Sequence, residues 1–212
     1  MHTCVIFCAG GFEKLARKLD NTDYILAADG GLAHLQRLGL EPDGIIGDFD
    51  SLGCVPTGAQ VFPVEKDDTD SMLAVRKGLE LGYRRFELYG ALDGDRLDHT
   101  IANLQTLCFL AEHGARGYLV GLKNMVAVVK NGGIRLEWGT GILSVFCLGE
   151  DAKGVTLKGL KYPLENGTLT SSFPLGVSNH FTDGEASVSV ADGTVLVLYD
   201  VENGFPQEVP VC

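Results

Sequence analysis

Two aspartates separated by one residue, Asp48 and Asp50, are the first side chains whose spacing could support chemistry. They follow the apolar run 44–47, so a strand would present both carboxylates at its carboxyl end. Side chains two positions apart in an extended chain point to the same side, where the two carboxylates would repel each other unless a cation lay between them. Because hard oxygen ligands suit Mg²⁺, the pair predicts a magnesium site. The alternative is a solvated turn with an Asp cap.

A second acidic group occupies 66–70 (Lys-Asp-Asp-Thr-Asp), directly before a helical pattern over 71–81. Asp and Thr cap helices by accepting hydrogen bonds from the first N–H groups, which accounts for one or two of these residues. Capping does not account for Asp67, Asp68 and Asp70 together, because three carboxylates repel one another without a compensating cation. A helix N-terminus also favours bound phosphate. We therefore expect this segment to cap the helix and to serve the site.

A third polar group, 90–99, lies between a predicted strand and a long predicted helix. Its Arg96 has the planar donors that bind phosphate in a two-point fashion. Asp98 would either orient Arg96 or join the metal site, and the spacing allows both. The alternative is that Arg96 and Asp98 form only a surface pair.

Glycine pairs at Gly10-Gly11 and Gly30-Gly31 each follow a predicted strand and open a predicted helix. Such loops let backbone N–H groups approach a phosphate or nucleotide closely, although strand–helix turns favour Gly in general. The sequence contains no dinucleotide-binding fingerprint, no Walker P-loop and no nucleophile elbow.

The elements that must position these groups alternate between strand and helix in the first half of the chain. This alternation predicts an α/β domain with a mostly parallel sheet covered on both faces. The predicted strands are 4–9, 24–28, 44–47, 60–64, 85–89 and 117–120, and the predicted helices follow Gly11 through Leu19, follow Gly31 through Leu38, and span 71–81 and 97–113.

The second half has short β-branched runs separated by turn residues and shows no helical pattern. The runs 186–190 and 194–199 flank Asp192-Gly193, a strong signal for a β-hairpin. We therefore predict two domains: 1–123, an α/β nucleotide- and metal-binding catalytic domain, and 124–212, a smaller all-β sandwich.

Composition limits the partners of the chain. A formal net charge of −11 over 212 residues opposes binding to nucleic acid and to anionic membranes. No apolar stretch approaches the roughly 20 residues of a spanning helix, and the opening residues lack the basic start of a signal peptide. The six cysteines form no C-x-x-C pair. We expect free thiols and a cytoplasmic protein.

Taken together and in order, the polar segments resemble those of the thiamine pyrophosphokinase (thiamine diphosphokinase) family. The segments that carry the resemblance are Ala28-Asp29-Gly30-Gly31, Pro42-Asp43, Gly47-Asp48-Phe49-Asp50-Ser51, Asp68-Thr69-Asp70, Arg96-Leu97-Asp98-His99-Thr100 with Asn103, Gly159-Leu160-Lys161-Tyr162-Pro163-Leu164 and Gly176-Val177-Ser178-Asn179. One departure is the loop 90–96, which is one residue longer than the family pattern G-x-x-G-G-R and carries Asp93 and Asp95.

The resemblance implies transfer of a pyrophosphoryl group from ATP to the hydroxyl of thiamine, with release of AMP and a requirement for Mg²⁺. It also implies a homodimer that binds thiamine near its interface, with the second domain contributing to both. The expected catalytic residues are Asp48, Asp50, Asp70 and Arg96. Grouped by expected ligand, the residues are Asp48, Asp50 and Asp70 for the metal, Asp29, Gly30, Gly31 and Thr69 for the nucleotide, Arg96 and Asp98 for the triphosphate, and Ser178 and Asn179 for thiamine.

Two other functions are compatible with parts of the sequence. A haloacid-dehalogenase-like Mg²⁺-dependent phosphatase also opens with a strand and Asp-x-Asp, in which Asp48 would be the nucleophile and Asp50 the acid and base. Ser51 directly after the second Asp argues against it, as does the lack of a later Asp-Asp metal pair that follows a strand in the order expected of that class. The other alternative is a non-catalytic module that binds a nucleotide or thiamine.

Overall fold

A computed structural model of the chain describes residues 2–47, 60–61, 68–182 and 184–210. The chain divides into two compact units, Met1–Leu122 and Lys123–Cys212. The division predicted from sequence, after residue 123, differs from this one by a single residue. Within the described residues, no helix is long and apolar enough to cross a membrane.

The first unit alternates strands with helices. Its elements are β1 (Cys4–Phe7), β2 (Tyr24–Ala28), α1 (Leu32–Leu38), β3 (Gly44–Gly47), β4 (Gln60–Val61), α2 (Asp70–Glu80), β5 (Arg85–Tyr89), α3 (Leu97–Glu112) and β6 (Arg116–Val120). A 3-10 turn over Asp29–Gly31 leads into α1. The strands pair in the order β4-β3-β2-β1-β5-β6, and each of these pairs is parallel.

The parallel register determines where the loops lie. All four residues of β1 are buried, as expected for a central strand of a sheet that is covered on both faces. At the end of β1, Phe7 is paired with Ala27 on one side and Tyr89 on the other. The residues that follow β1, β2 and β5 therefore emerge at the same edge of the sheet, which is where α/β folds bind ligands.

The helix predicted to follow Gly11 through Leu19 is not formed, so that prediction was wrong. Arg17 in this segment donates from Nε to both carboxylate oxygens of Glu87, at 2.9 and 3.0 Å. Its two terminal nitrogens bond Asp23 at 2.7 and 3.0 Å. These contacts with the sheet and the next turn hold the chain in an irregular path, because tertiary contacts override a weak helical propensity.

Local signals do set the ends of the helices that form. At the start of α2, the Thr69 hydroxyl accepts a hydrogen bond from the backbone N–H of Met72 at 3.2 Å, which is a side-chain cap. After α1, Gly39 adopts a left-handed φ of 67° and its N–H bonds the Gln36 carbonyl. That conformation ends a helix and favours Gly.

The second unit is built from strands, and its described residues contain no α-helix. The strands are β7 (Asn124–Gly139), β8 (Ile142–Cys147), β9 (Ala152–Lys158), β10 (Leu164–Leu169), β11 (Gly176–His180), β12 (Gly184–Asp200) and β13 (Gln207–Val209), and a 3-10 turn spans Val201–Asn203. All of their pairs are antiparallel. The predicted all-β second domain is confirmed, and strand pairing over the whole chain is mixed rather than mostly parallel.

The predicted hairpin at Asp192-Gly193 is replaced by an irregularity within one long strand. β12 runs through these residues, and its pairing with β7 shifts register between Val190 and Thr194. Gly193 has φ 113°, and its N–H donates to the Asn131 side chain on β7 at 2.9 Å. Residues that tolerate positive φ suit a β-bulge as well as a turn, so the prediction of a chain reversal was wrong.

The bulge separates two halves of β12 with different partners. Before it, β12 pairs with β9 at Ser187, Val188 and Ser189, whereas after it the strand pairs with β8 from Val195 to Tyr199. β7 pairs with both halves. Two sets of strands therefore share β7 and β12.

Candidate active site

A cavity of about 260 Å³ lies at the edge of the first unit where its parallel strands end. Its walls come from the loops after β1, β2 and β5 and from the first turns of α2 and α3. Four of the predicted site residues line it: Asp29, Thr69, Asp70 and Arg96. The cavity also includes Asp95, Asn103 and Cys8, which were not among the predicted ligands.

A chain of hydrogen bonds fixes the floor of the cavity. The buried hydroxyl of Ser71 donates to the side-chain oxygen of Asn103 at 2.7 Å, and the Asn103 amide donates to the Ala91 carbonyl at 2.7 Å. The Thr69 and Ser71 hydroxyls are 3.0 Å apart. These bonds connect the start of α2, the first turns of α3 and the loop after β5, so Asp70 is held on a rigid element.

Cys8 directly follows β1, and this position was the only signal in the sequence that it would lie near the site. Burial raises the pKa of its thiol to about 12, and the nearby charge of Asp70 adds to this. The thiol is therefore neutral at physiological pH and is a poor ligand for a hard cation.

Arg96 and Asp98 form a two-point pair beside the cavity. Arg96 Nε and a terminal nitrogen lie 3.2 and 2.5 Å from the two carboxylate oxygens of Asp98. The side chains are 68% and 64% exposed. The hydrogen bond from Arg96 lowers the pKa of Asp98, and the same bond raises the pKa of Arg96. Asp98 thus orients the guanidinium while leaving it accessible to solvent.

The Gly30-Gly31 pair has a packing role. A Cβ on Gly31 would lie 1.9 Å from the Phe7 carbonyl oxygen, and one on Gly30 would lie 3.0 Å from the Ala9 methyl group. Only glycine allows this turn to come so close to β1. Asp29, immediately before it, has a left-handed φ of 45° and lines the cavity. The predicted contact of Gly30 and Gly31 with a nucleotide stays a prediction.

Of the three predicted metal ligands, Asp70 is the one that lies within the described residues. Asp48 and Asp50, as well as Asp67, lie outside the described residues. Within the described ranges, no group of three or more His, Cys, Asp or Glu residues is placed to hold a metal ion. The carboxylates of Asp70 and Asp95 line the cavity, and such hard oxygen donors are of the type that suits Mg²⁺. The assignment of ligands stays a prediction.

The predicted thiamine residues lie on β11 in the second unit. The Ser178 side chain is exposed, its φ is 55°, and its N–H donates to the Ser144 hydroxyl at 3.0 Å. The buried Asn179 amide accepts from the Tyr162 N–H at 2.9 Å and donates to the Tyr162 carbonyl at 2.7 Å. Asn179 therefore positions the backbone at Tyr162, and the direct contact of either residue with thiamine stays a prediction.

Several large apolar side chains of the second unit are exposed to solvent. Trp138 is 70% exposed and Phe173 is 64% exposed. The others are Ile142, Tyr162, Leu175 and Val177. The sequence did not identify them, because an apolar residue in a strand or turn gives no indication of which side faces the core. Single exposed apolar side chains are common on protein surfaces, whereas a contiguous group of them marks a binding surface.

Comparisons with known proteins agree with the order of the motifs. The protein-family model of the thiamin pyrophosphokinase catalytic domain matches residues 15–119. The family model of the thiamin pyrophosphokinase vitamin B1 binding domain matches residues 134–195. The chain is 28% identical to thiamine pyrophosphokinase of Bacillus subtilis (strain 168), over 90% of this chain and 95% of that protein. These matches support the transferase over the phosphatase and the non-catalytic module.

Solved structures of similar fold cover nearly the whole chain. The crystal structure of thiamine pyrophosphokinase from Bacillus subtilis has a TM-score of 0.84 and 24% identity, covering 94% of this chain and 99% of that one. The corresponding structure from Geobacillus thermodenitrificans has a TM-score of 0.80 and 25% identity, covering 94% and 97%. The yeast enzyme has a TM-score of 0.68 at 18% identity, covering 96% and 87%, which is a likeness of fold alone.

Proposed function

The chain belongs to the thiamin pyrophosphokinase family, and we propose that it transfers the pyrophosphoryl group of ATP to the hydroxyl of thiamine, giving thiamine diphosphate and AMP. The observation that carries this proposal is the cavity at the ends of the parallel strands. There, Asp70 at the start of α2 and Arg96 before α3 line one space, within the segment matched by the catalytic-domain model.

The groups that line the cavity suit a nucleoside triphosphate. Transfer of a phosphoryl or pyrophosphoryl group depends mainly on alignment and on neutralising charge. Arg96 offers planar donors to phosphate oxygens while Asp98 holds its guanidinium in place. The first turns of α2 and α3 line the same space, and helix N-termini favour an anion. Asp29, Gly30, Gly31 and Thr69 complete the proposed nucleotide site.

Mg²⁺ is the proposed metal, held by Asp48, Asp50 and Asp70. When bound, it would neutralise negative charge on the phosphate oxygens. Asp70 is the proposed acceptor of the thiamine hydroxyl proton, because the Thr69 cap and the start of α2 fix its position. Its carboxylate must therefore be ionised when ATP and thiamine are bound.

We infer that the second unit is a sandwich that contributes to thiamine binding through Ser178 and Asn179 and to a homodimer. The exposed apolar side chains of this unit, among them Trp138 and Phe173, support a surface that is covered in an assembly. A net charge of −11 is compatible with a cationic acceptor such as thiamine. The proposed setting is the cytoplasm.

The test is an assay of AMP formed from ATP in the presence of Mg²⁺ with and without thiamine. We expect AMP only when thiamine is present, and little release of phosphate from a generic phosphoester. Equal AMP formation without thiamine would show that the acceptor is wrong. Asp50→Asn should abolish the thiamine-dependent signal while circular dichroism stays unchanged, and wild-type turnover in that variant would contradict the metal site.

A further inference from the structure

The loop 90–96, which joins β5 to α3, is held by hydrogen bonds from α3, where Asn103 donates to the Ala91 carbonyl and Thr100 donates to the Leu92 carbonyl, and by hydrogen bonds from two other segments. The N–H of Gly10 donates to the Gly90 carbonyl at 2.9 Å, and the N–H of Gly11 donates to the Asp93 carbonyl. A side chain of the loop itself makes a further bond, because the N–H of Leu122 donates to Asp93 Oδ2 at 2.6 Å. Asp93 is thus bonded from two sides, by the loop after β1 and by the segment after β6.

The position of Asp93 differs from that of its neighbours. Asp95 and Arg96 line the cavity, whereas Asp93 is not among the described residues that do so. Its carboxylate instead accepts a backbone N–H, an interaction with a charged acceptor that is stronger than a neutral hydrogen bond. Of the two acidic residues in this loop, Asp93 therefore has a partner within the protein.

The bonds to Asp93 act on a loop that contains two glycines. Gly90 has φ 67°, and a Cβ there would lie 2.3 Å from the Cys8 carbonyl oxygen, so glycine is required at that point. Gly94 follows Asp93 directly. Glycine loses more conformational freedom on ordering than other residues. The carbonyls before Asp93 already accept bonds from α3, so the bonds to Asp93 constrain the part of the loop that adjoins Gly94.

We propose that Asp93 is a positioning residue that, by accepting the Leu122 N–H, holds the loop so that Asp95 and Arg96 face the cavity. This inference rests on the proposed function, since it concerns the residues expected to meet the triphosphate. Asp93 acts without contacting the substrate. A role as a metal ligand would instead require its negative charge to face the cavity.

Three variants distinguish these roles: Asp93→Ala, which removes the acceptor, Asp93→Asn, which keeps an acceptor oxygen without the charge, and Asp151→Ala, an exposed control in the second unit. With thiamine saturating, we expect Asp93→Ala to raise the KM for MgATP about tenfold, the order of effect of one lost hydrogen bond to a charged group. Asp93→Asn should restore KM to within about twofold of wild type, because its amide oxygen still accepts the N–H bond. Asp151→Ala should match wild type.

A steric variant tests the same tie from the opposite side. A Cβ on Gly11 would lie 2.6 Å from the Asp93 carbonyl oxygen and 3.2 Å from its Cβ. Gly11→Ala should therefore displace the loop and raise the KM for MgATP in the same direction as Asp93→Ala. A wild-type KM in both Asp93→Ala and Gly11→Ala would overturn the proposal.

The amide hydrogen exchange of Leu122 separates this proposal from the proposed function, because it needs no substrate. We expect faster exchange in Asp93→Ala than in wild type and in Asp93→Asn. If wild type forms no thiamine-dependent AMP, the proposed function fails, while the exchange result still tests the tie. Unchanged exchange in Asp93→Ala, or an Asp93→Asn variant whose KM is raised as much as that of Asp93→Ala, would overturn the positioning role.

Discussion

Two charged clusters in the first unit have opposite relations to solvent. The buried cluster consists of Arg17, Asp23, Arg85 and Glu87, and the cavity cluster consists of Asp70, Asp95, Arg96 and Asp98. Glu87 is fully buried on the central strand β5, whereas the side chains of Arg96 and Asp98 are more than 60% exposed. One cluster therefore interacts with other parts of the protein, and the other is accessible to ligands.

The pKa shifts follow this difference. Burial raises the pKa of Glu87, and the hydrogen bonds from Arg17 oppose that rise. In the cavity cluster, the hydrogen bond from Arg96 lowers the pKa of Asp98. A buried charge must be paired within the protein to be tolerated, whereas an exposed pair contributes little to folding. The comparison indicates that the buried cluster holds the fold and that the cavity cluster is kept for its chemistry.

The largest expected effect is on activity, from Asp70→Asn in the cavity cluster. We expect thiamine-dependent AMP formation to fall about 10³-fold, the size of effect for losing a general base. The free energy of unfolding should change by less than about 1 kcal/mol, the scale of one charge at a helix N-terminus. AMP formation and urea denaturation measure the two quantities, and near-normal activity would contradict the role of Asp70.

The second prediction concerns stability and the buried cluster. Arg17→Met should lower the free energy of unfolding by about 3–5 kcal/mol, because it leaves the Glu87 carboxylate buried without its main partner. Urea denaturation measures this loss. Adding Glu87→Leu should recover part of it, since an apolar side chain requires no counter-charge, whereas Asp23 still lacks its two bonds to Arg17. An Arg17→Met variant as stable as wild type would show that the pair of Arg17 and Glu87 does not hold the segment that precedes β2.

A smaller effect on activity is expected from Arg96→Met. The ratio kcat/KM for ATP should fall about 10²-fold, the scale of losing one donor to developing negative charge, with no measurable change in urea denaturation. Asp98→Asn is the matched control, because it keeps Arg96 and removes only the charge that orients it. The fall in kcat/KM should be smaller in Asp98→Asn than in Arg96→Met. A larger fall in Asp98→Asn would point to a direct role for Asp98.

The smallest expected effect is a pH dependence in the Arg17→Met variant. Without Arg17, burial should raise the pKa of Glu87 further above its ordinary value of 4.5. The folded state then binds the proton more tightly than the unfolded state, so the stability loss should shrink as pH falls from 7 toward 4.5. The expected recovery is about 1.4 kcal/mol for each unit by which the pKa is raised. Urea denaturation at several pH values measures this recovery. A stability loss in Arg17→Met that does not vary with pH would contradict the raised pKa of Glu87.

Features governed by neighbouring residues were predictable from the sequence. The strands at Gly44–Gly47 and Arg85–Tyr89 have the predicted bounds, because a short run of strand-forming residues between turn residues is itself the signal for a strand. The helix predicted over 71–81 is observed as Asp70–Glu80, since Thr69 caps it and its apolar residues recur at helical spacing.

The errors arose where a local signal has more than one structural outcome. Asp192-Gly193 has the positive-φ tolerance of a hairpin turn, and the same tolerance serves a bulge once β7 pairs along both sides of it. The helix predicted through Leu19 does not form, because Arg17 in that segment instead contacts Glu87, a residue 70 positions away. Neither outcome could be read from neighbouring residues.

The sequence alone determined which residue types the candidate site contains and the order in which they occur, and that order sufficed to identify the family. Only the tertiary structure decided how they meet: Ser71 bonds Asn103, Arg96 pairs with Asp98 beside the cavity, and Asp93 turns to the Leu122 N–H. The physical reason is that parallel pairing brings the ends of distant strands to one edge. Which side chain then faces a ligand, and which bonds the protein, depends on contacts between residues far apart in the chain.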